Sequence, residues 1–400
     1  MRLQLAAGLV GLGLASCTLD GDFSTSIDES PVIGGTSAPA GKWPDAVAVL
    51  WSGQQECTGT LIAPNVVLTA GHCVEFDPPN GVLVGASALS RASEGETIAV
   101  MKAIDYPSSQ TTVDVGILVL ANPSTVTPRP IASGWARFDI KNGAPIQFVG
   151  FGTTDRNGNT PTDTLQEAPS TITDFNCTER AGCNAGARPD GELGAGGNGI
   201  DTCPGDSGGP MYLPTDYGTF VAGVTSRGYD DSRYACSEGG IYGRPDKIVD
   251  WIDQVTGVKV ARGPTPEAPP IQTSTGDAGE TTITVNDPKS SDHTFQIVTP
   301  PDHGKAAVSE NGTVRVCADR DVYGDDLVVV GVTDAHDQAR SLQVSIPIAI
   351  AQAEAPDSCD ETAFGDGDSG GCCDSRRGAG GSIPLALLVL GMLGRRRRRR

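Results

Sequence analysis

The chain has 400 residues, 20% of them charged, and its formal net charge of −20 becomes −26 without the six terminal arginines. So acidic a protein repels nucleic acid and steers toward basic partners, unless the charge serves solubility alone. The length leaves room for more than one cored domain, and eleven cysteines behind an export signal point to an oxidising compartment.

Residues 1–17 read as that signal. Met1-Arg2 gives a positive start, and the apolar run ending Leu14-Ala15-Ser16-Cys17 is too short to span a membrane and is of the kind removed after export. Leu-Ala-Ser-Cys also resembles a bacterial lipoprotein box, which makes Cys17 the lipidated first residue; an ordinary signal with an incidental cysteine is the other reading. Residues 18–31 are polar and turn-rich, a tether or short propeptide. From there to about residue 260 short apolar runs alternate with turn residues, predicting strands at Ala46 to Leu50, Thr58 to Ile62, Ile146 to Phe151 and Phe220 to Ser226. A helix closes the region, because Ile248, Trp251, Ile252 and Val255 recur at helical spacing.

Within this region the stretch from Asp201 to Pro210, DTCPGDSGGP, has the form of a nucleophile loop. Glycines around Ser207 allow positive φ, so that backbone N–H groups can converge on a developing negative charge. Serine is a poor nucleophile at neutral pH without a base, and the base needs an orienting carboxylate. His72 is the only histidine before position 293 and follows the apolar run Val66-Val67-Leu68, at a strand end suited to a rigidly held base. Asp114 interrupts the apolar strand from Val113 to Leu120, where a charge is tolerated only with strong hydrogen-bonding partners. It either orients the histidine or caps a turn at the start of the strand.

From about Val32 to Gly257 these motifs resemble the trypsin-like, chymotrypsin-fold serine proteases. Val32-Ile33-Gly34-Gly35, Thr69-Ala70-Gly71-His72-Cys73 (with glycine where alanine is commoner), DVGILVL and GDSGGP stand in the family's order. The resemblance implies an all-β fold, two Greek-key barrels with a cleft between them and a C-terminal helix, and no cofactor or metal. It implies that Ser207 is the nucleophile, His72 the general base, Asp114 its orienter, and the N–H groups of Gly205 and Ser207 the oxyanion hole. Asp201, six residues before the serine, becomes the floor of the primary specificity pocket, selecting Arg or Lys because only a cation repays its desolvation. Ser226-Arg227-Gly228 matches the family's Ser-Trp-Gly wall and Gly240 matches a second wall glycine. Arg227 replaces the usual tryptophan, which places a cation at the pocket rim, there to weaken basic substrates or to pair with acidic flanking residues. In the family a freed N-terminus, here that of Val32, pairs with the aspartate beside the nucleophile, here Asp206. Pro31 precedes it, so trypsin-like self-activation is not expected. The resemblance also implies disulfides Cys57 with Cys73, Cys203 with Cys236 and, across a shorter loop than the family's, Cys177 with Cys183. Zinc is the rival reading of the cysteines, disfavoured by a single histidine already committed.

Beyond residue 260, a Pro-rich stretch over 261–275 reads as a semi-rigid linker. Over 276–352, runs at Thr281 to Val285, Thr294 to Val298, Thr313 to Val316, Leu327 to Val332 and Leu342 to Ile350 predict a small β-sandwich. It resembles bacterial Ig-like or cadherin-like modules, whose usual role is binding or spacing. Asp319, Asp321, Asp325 and Asp326 are either a calcium group or solvated turn residues. Residues 353–382 are a Gly/Asp/Cys-rich linker with Cys372-Cys373, and 383–400 join an apolar run well short of the ~20 residues of a spanning helix to an arginine cluster. This end resembles the MYXO-CTERM sorting tail of myxobacterial surface proteins, which implies removal of the tail and attachment near the cysteine motif. The expectation is an exported protein of the outer membrane or cell surface, or one released from it. It would be an endopeptidase acting on proteins or peptides with Arg or Lys, or a latent protease-fold protein that binds or adheres.

Overall fold

The computed structural model describes residues 33–354 and residue 359. Cys17, Val32 and the sorting tail lie outside the described residues. Among those described, no helix is long and apolar enough to cross a membrane.

Seven strands come first: β1 (Thr36–Ser37), β2 (Ala46–Trp51), β3 (Gln54–Ala63), β4 (Val66–Thr69), β5 (Gly81–Val84), β6 (Glu96–Asp105) and β7 (Gly116–Leu120). β2 to β7 close an antiparallel barrel in the order β2-β3-β4-β7-β6-β5. Its core is almost wholly aliphatic: Val47, Leu61, Ile62, Val66, Val67, Leu68, Ile117 and Leu118 are fully buried, as β-branched and leucine side chains on a closed sheet should be. A second set follows: β8 (Pro145–Gly150), β9 (Gln166–Asp174), β10 (Glu192–Ala195), β11 (Pro210–Thr215), β12 (Gly218–Gly228) and β13 (Gly240–Gly243). These run β9-β10-β13-β12-β11-β8, and pairing of β8 with β9 closes the second barrel, with β1 added outside β9.

The barrels are joined at a polar point. Asp45 is 1% exposed; it takes a hydrogen bond from Arg129 Nε at 2.9 Å in the first barrel's exit segment and one from Tyr212 of β11. Such a charge is tolerable only because it is fully partnered. The helix expected near the end is α1 (Val249–Thr256), which buries Val249 and Ile252 and stops where Gly257 takes φ +68° and its N–H returns to the Asp253 carbonyl.

The remaining strands are β14 (Ile271–Ser274), β15 (Ala278–Thr282), β16 (His293–Thr299), β17 (Gly304–Val308), β18 (Thr313–Ala318), β19 (Gly324–Asp334) and β20 (Ser341–Ala351). They form two sheets, β14-β20-β19-β16 and β15-β18-β17, around a core of Val314, Val316, Val328, Val330, Val332, Ile346 and Ile348. The first predicted run here ends early as a strand. Ile283 and Thr284 leave β15, and Thr284 exchanges both backbone hydrogen bonds with Glu267. Cys317 is joined to Cys359. Of the four aspartates weighed for calcium, Asp326 accepts backbone N–H bonds from His303 at 2.8 Å and Leu327 at 2.7 Å, a turn-holding role.

The Pro-rich segment is part of the packed structure. Ala261 N–H reaches the Ile62 carbonyl and Ile131 N–H the Ala261 carbonyl, both at 2.9 Å, while Trp135 N–H reaches Pro264 at 2.8 Å. Trp135, 0% exposed, belongs to the sandwich's apolar cluster although it lies in the short 3-10 turn Gly134–Asp139 before β8. His293 lies 5.5 Å from its ring and the Arg340 guanidinium covers it at 5.5 Å; beside them Lys289 pairs with Asp139.

Candidate active site

β4 is buried throughout and ends in a 3-10 turn, Gly71–Cys73, that projects the His72 ring outward. The disulfide from Cys73 to Cys57 of β3 fixes this turn. Gly71 is required by its surroundings: a Cβ there would lie 2.6 Å from Ser109 Cβ and 2.7 Å from Asp105 Oδ1. Asp114, just ahead of β7, grips the turn twice. His72 N–H donates to its Oδ1 at 2.9 Å, and His72 Nδ1 lies 2.8 Å from its Oδ2. A third bond reaches Asp114 from the Ser226 hydroxyl at 2.6 Å. Burial works against charge on His72, yet the hydrogen bond and negative charge of Asp114 outweigh it and raise the imidazole's pKa, with Arg227 pulling the other way. For Asp114, burial is likewise outweighed, by His72 and then Ser226, and its pKa is lowered. The strand aspartate thus orients the histidine.

Ser207 arrives from the second barrel on the turn before β11. Its carbonyl accepts Thr58 N–H of β3 at 2.8 Å, so the loop is pinned across the cleft to the same strand that carries Cys57. Gly208 has φ +81°, and a Cβ would meet Ala70 N at 2.6 Å, so only glycine lets the serine loop come this close to the histidine turn. The Pro204 carbonyl accepts Thr153 N–H at 2.9 Å and the Asp206 carbonyl accepts Gly209 N–H at 2.7 Å. In a trans peptide the N–H points opposite to the C=O, so both bonds turn the N–H groups of Gly205 and Ser207 away from the loop interior. Thr58 Oγ1 and Gln55 Nε2 hold the next carbonyl, that of Gly205, at 2.8 and 2.9 Å. Neither residue belongs to a motif that the sequence displays.

Asp201 is 3% exposed. Its Oδ1 accepts Thr202 N–H at 2.8 Å, and its Oδ2 accepts N–H groups of Ser237 and Gly239 at 2.9 Å and Glu238 at 3.2 Å. The Cys203–Cys236 disulfide ties the two segments together. Burial raises the Asp201 pKa to about 6 against the pull of these four donors. A Cβ on Gly240 would lie 3.7 Å from Asp201 Oδ1, whereas one on Gly228 meets nothing within 4 Å. Glycine is needed at 240 chiefly because a Cβ would meet the Arg227 carbonyl oxygen at 2.8 Å, and its absence also leaves the Asp201 carboxylate uncovered on that side. Asp206 is buried with Gly152 N–H at 2.7 Å and Cys203 N–H at 2.8 Å on its carboxylate; burial lifts its pKa to about 7, with Asp201 adding to the rise.

Ser226, expected on the wall of the specificity pocket, has its side chain buried and turned to Asp114, which leaves its backbone for that wall. Arg227 was expected at the pocket rim, there to weaken basic substrates or to pair with acidic flanking residues. Instead its Nη1 and Nη2 bind the two oxygens of Glu192 at 2.9 and 3.0 Å, its Nε and Nη2 bind the Gly182 carbonyl at 3.3 and 2.8 Å, and Nη1 also reaches Ser226 Oγ at 2.9 Å. A bidentate carboxylate outcompetes water for a planar guanidinium. Gly182 lies in the short loop closed by the Cys177–Cys183 disulfide. Sulfurs converge with His72, and again with Glu192, but in each case they are disulfide-bonded, and the ligand form of cysteine is the thiolate.

The family described as Trypsin matches residues 32–252. The chain is similar to glucanase inhibitor protein 3 of Phytophthora infestans, with 31% identity over 264 residues, 63% of this chain and 96% of that protein. Among solved structures it is similar to neuropsin, a serine protease expressed in the limbic system of mouse brain, at 27% identity and a TM-score of 0.47 over 55% of this chain and 98% of the other. With more than half of its length matched, the chain belongs to the trypsin family.

Proposed function

We propose that the protein is a serine endopeptidase that cleaves after Arg or Lys. The observation that carries this reading is the double grip of Asp114 on His72, set on a turn against which the Ser207 loop packs. Asp114 binds Nδ1, which leaves Nε2 free to act as the base. Ser207 Oγ attacks the scissile carbonyl as His72 Nε2 takes its proton, and the oxyanion forms against the N–H groups of Gly205 and Ser207. His72 then protonates the leaving amine. Water enters, again deprotonated by His72, and hydrolyses the acyl-enzyme. The Asp201 carboxylate, low in solvent exposure and beside the space kept by Gly240, favours a cationic side chain. A pKa near 6 leaves it ionised at neutral pH.

The export signal, the Cys17 box and the arginine-ended tail support a place at the outer membrane or cell surface, whether by lipid, by the tail's attachment point, or both. Freeing Val32 would supply an ammonium for Asp206; with Pro31 before it, that cut would come from a protease other than a trypsin-like one.

A second reading is a latent or inactive protease-fold protein that binds or adheres, and the similar protein named as a glucanase inhibitor favours it. Labelling with a fluorophosphonate probe, with and without limited proteolysis, separates the two. The endopeptidase reading expects labelling that Ser207→Ala abolishes, together with hydrolysis of an arginyl ester. A native protein that never labels, though cut before Val32, would establish the binding reading.

A further inference from the structure

Behind the His72–Asp114 pair a second layer of polar groups continues inward, and it includes Arg227, which stands where the resemblance sets a tryptophan. Resting on the endopeptidase reading, we propose that Arg227 and Glu192 are positioning residues: the pair fixes the Ser226 hydroxyl on Asp114 and holds a positive charge behind the triad that tunes His72.

The donor and acceptor arithmetic supports this directly. A serine hydroxyl has one proton to give and two lone pairs, whereas a guanidinium only donates. Arg227 Nη1 lies 2.9 Å from Ser226 Oγ, so that contact takes a lone pair, and the hydroxyl's single proton goes to Asp114 Oδ2 at 2.6 Å. Without Arg227 the hydroxyl could rotate and offer its lone pairs elsewhere. Glu192 in turn fixes the guanidinium by the bidentate contact already described, and it is 0% exposed. Its remaining capacity is filled by Asn184, whose backbone N–H meets Oε2 at 2.8 Å and whose Nδ2 meets Oε1 at 3.2 Å. The same Asn184 amide reaches the Thr112 carbonyl at 2.7 Å, two residues before Asp114. Asp114 is thus held from two directions by groups that converge on one buried carboxylate.

The charges matter as well as the bonds. Asp114 faces His72 directly; Asp105, with Glu75 near it, lies beside the histidine turn and repels the charge of Asp114. Arg227 is the cation set against them, and it lowers the proton affinity of His72. Glu192 moderates that cation. Removing the charge of either partner should therefore move His72 in opposite directions, which a merely structural scaffold would not do.

The test is the titration of His72 in the full-length protein, read from its Nδ1 proton and ring resonances with histidine labelled by 15N, beside the pH profile of arginyl-ester kcat/KM. Arg227→Gln is expected to raise the His72 midpoint and the acid limb by roughly half a pH unit and to lower kcat roughly tenfold with little change in KM. Glu192→Gln is expected to lower the midpoint by a similar amount, and the double variant to return near the parent. Single variants that move together, or not at all, overturn the proposal. If these variants do not fold, the parent protein decides. Its Arg227 side-chain 15N signals should be slow in rotation and shift with the His72 midpoint, and flat Arg227 signals refute the coupling. The NMR readout needs no turnover. Opposed shifts in a protein that hydrolyses no ester even after it is cut before Val32 would sink the endopeptidase reading and keep this one; turnover by the cut protein without such shifts would do the reverse.

Discussion

Discrimination between arginine and its neutral isostere citrulline at the substrate's specificity position should itself titrate. Asp201 is the only charge that distinguishes the two side chains in the mechanism above, and its pKa is raised by burial to about 6. His72, the oxyanion hole and the leaving group act on both substrates alike, so their pH dependence cancels in the ratio of kcat/KM values, which reports the free enzyme. Above pH 7 the ratio should be flat at about a hundredfold to a few thousandfold, the worth of about 3–5 kcal/mol for a buried ion pair against a half-empty one. It should fall to about half its plateau at pH 6 and about a tenth at pH 5. Asp201→Asn should flatten the ratio near unity. It should also cost about 1–3 kcal/mol in stability, because an amide NH2 is then forced against one of the four N–H groups that the carboxylate now satisfies. The assay is a pair of matched ester or amide substrates run from pH 5 to 8. A constant ratio across that range, or a midpoint near 4, would refute the assignment of Asp201 as the cation's partner at its raised pKa.

Three further outcomes follow from other parts of the molecule. For Asp206, burial lifts the folded pKa to about 7 from 3.8, so between those values the folded state binds more protons than the unfolded. Stability should therefore decline by up to about 4 kcal/mol as pH rises from about 4 to about 7 and level off above that. An ammonium freed at Val32 should suppress the decline, and denaturant melts of cut and uncut protein with identical pH profiles would contradict the pairing. Trp135→Ala should cost about 3–5 kcal/mol and split urea unfolding into two transitions, with a loss under 1 kcal/mol counting against the shared core. Gly71→Ala, which installs the family's commoner residue, should destabilise by about 1–3 kcal/mol in a thermal melt, and Ser109→Gly should recover part of it; a neutral Gly71→Ala would mean that the Asp105 loop yields freely.

What the sequence reveals and what it conceals divide along range. The nucleophile loop, the lone early histidine and the charged interruption of a core strand are local patterns, and their chemistry is written within a few residues. The helix from Val249 announced itself through its period. Glu192, by contrast, lies in a glycine-rich run, Gly191-Glu192-Leu193-Gly194, that carries no motif, and its meaning depends on Arg227 thirty-five residues later. Arg227 could be seen to be unusual, but whether it faced substrate or protein was a question of packing. β17 was missed because Gly304-Lys305-Ala306-Ala307 has little β-branched character, and pairing with β18 makes it a strand. The stretch 261–270 has the composition of a free linker. Proline-rich chain is extended whether it crosses solvent or lies along a neighbour, so composition alone does not separate the two cases.

The extent of family similarity and the extent of the folding unit are different things in this chain. The matched region stops at residue 252, ahead of the end of α1, and a gene fragment cut there would look complete by ancestry. Yet the residues that finish the barrels' edge run on through Ala261 and Gly263, and the indole of Trp135 finds its apolar surroundings among strands more than 130 positions downstream. A fragment ending with the ancestral segment would leave that indole in water. The later module is then less a passenger than a wall of the first domain's own core, one whose loss would be felt at Trp135.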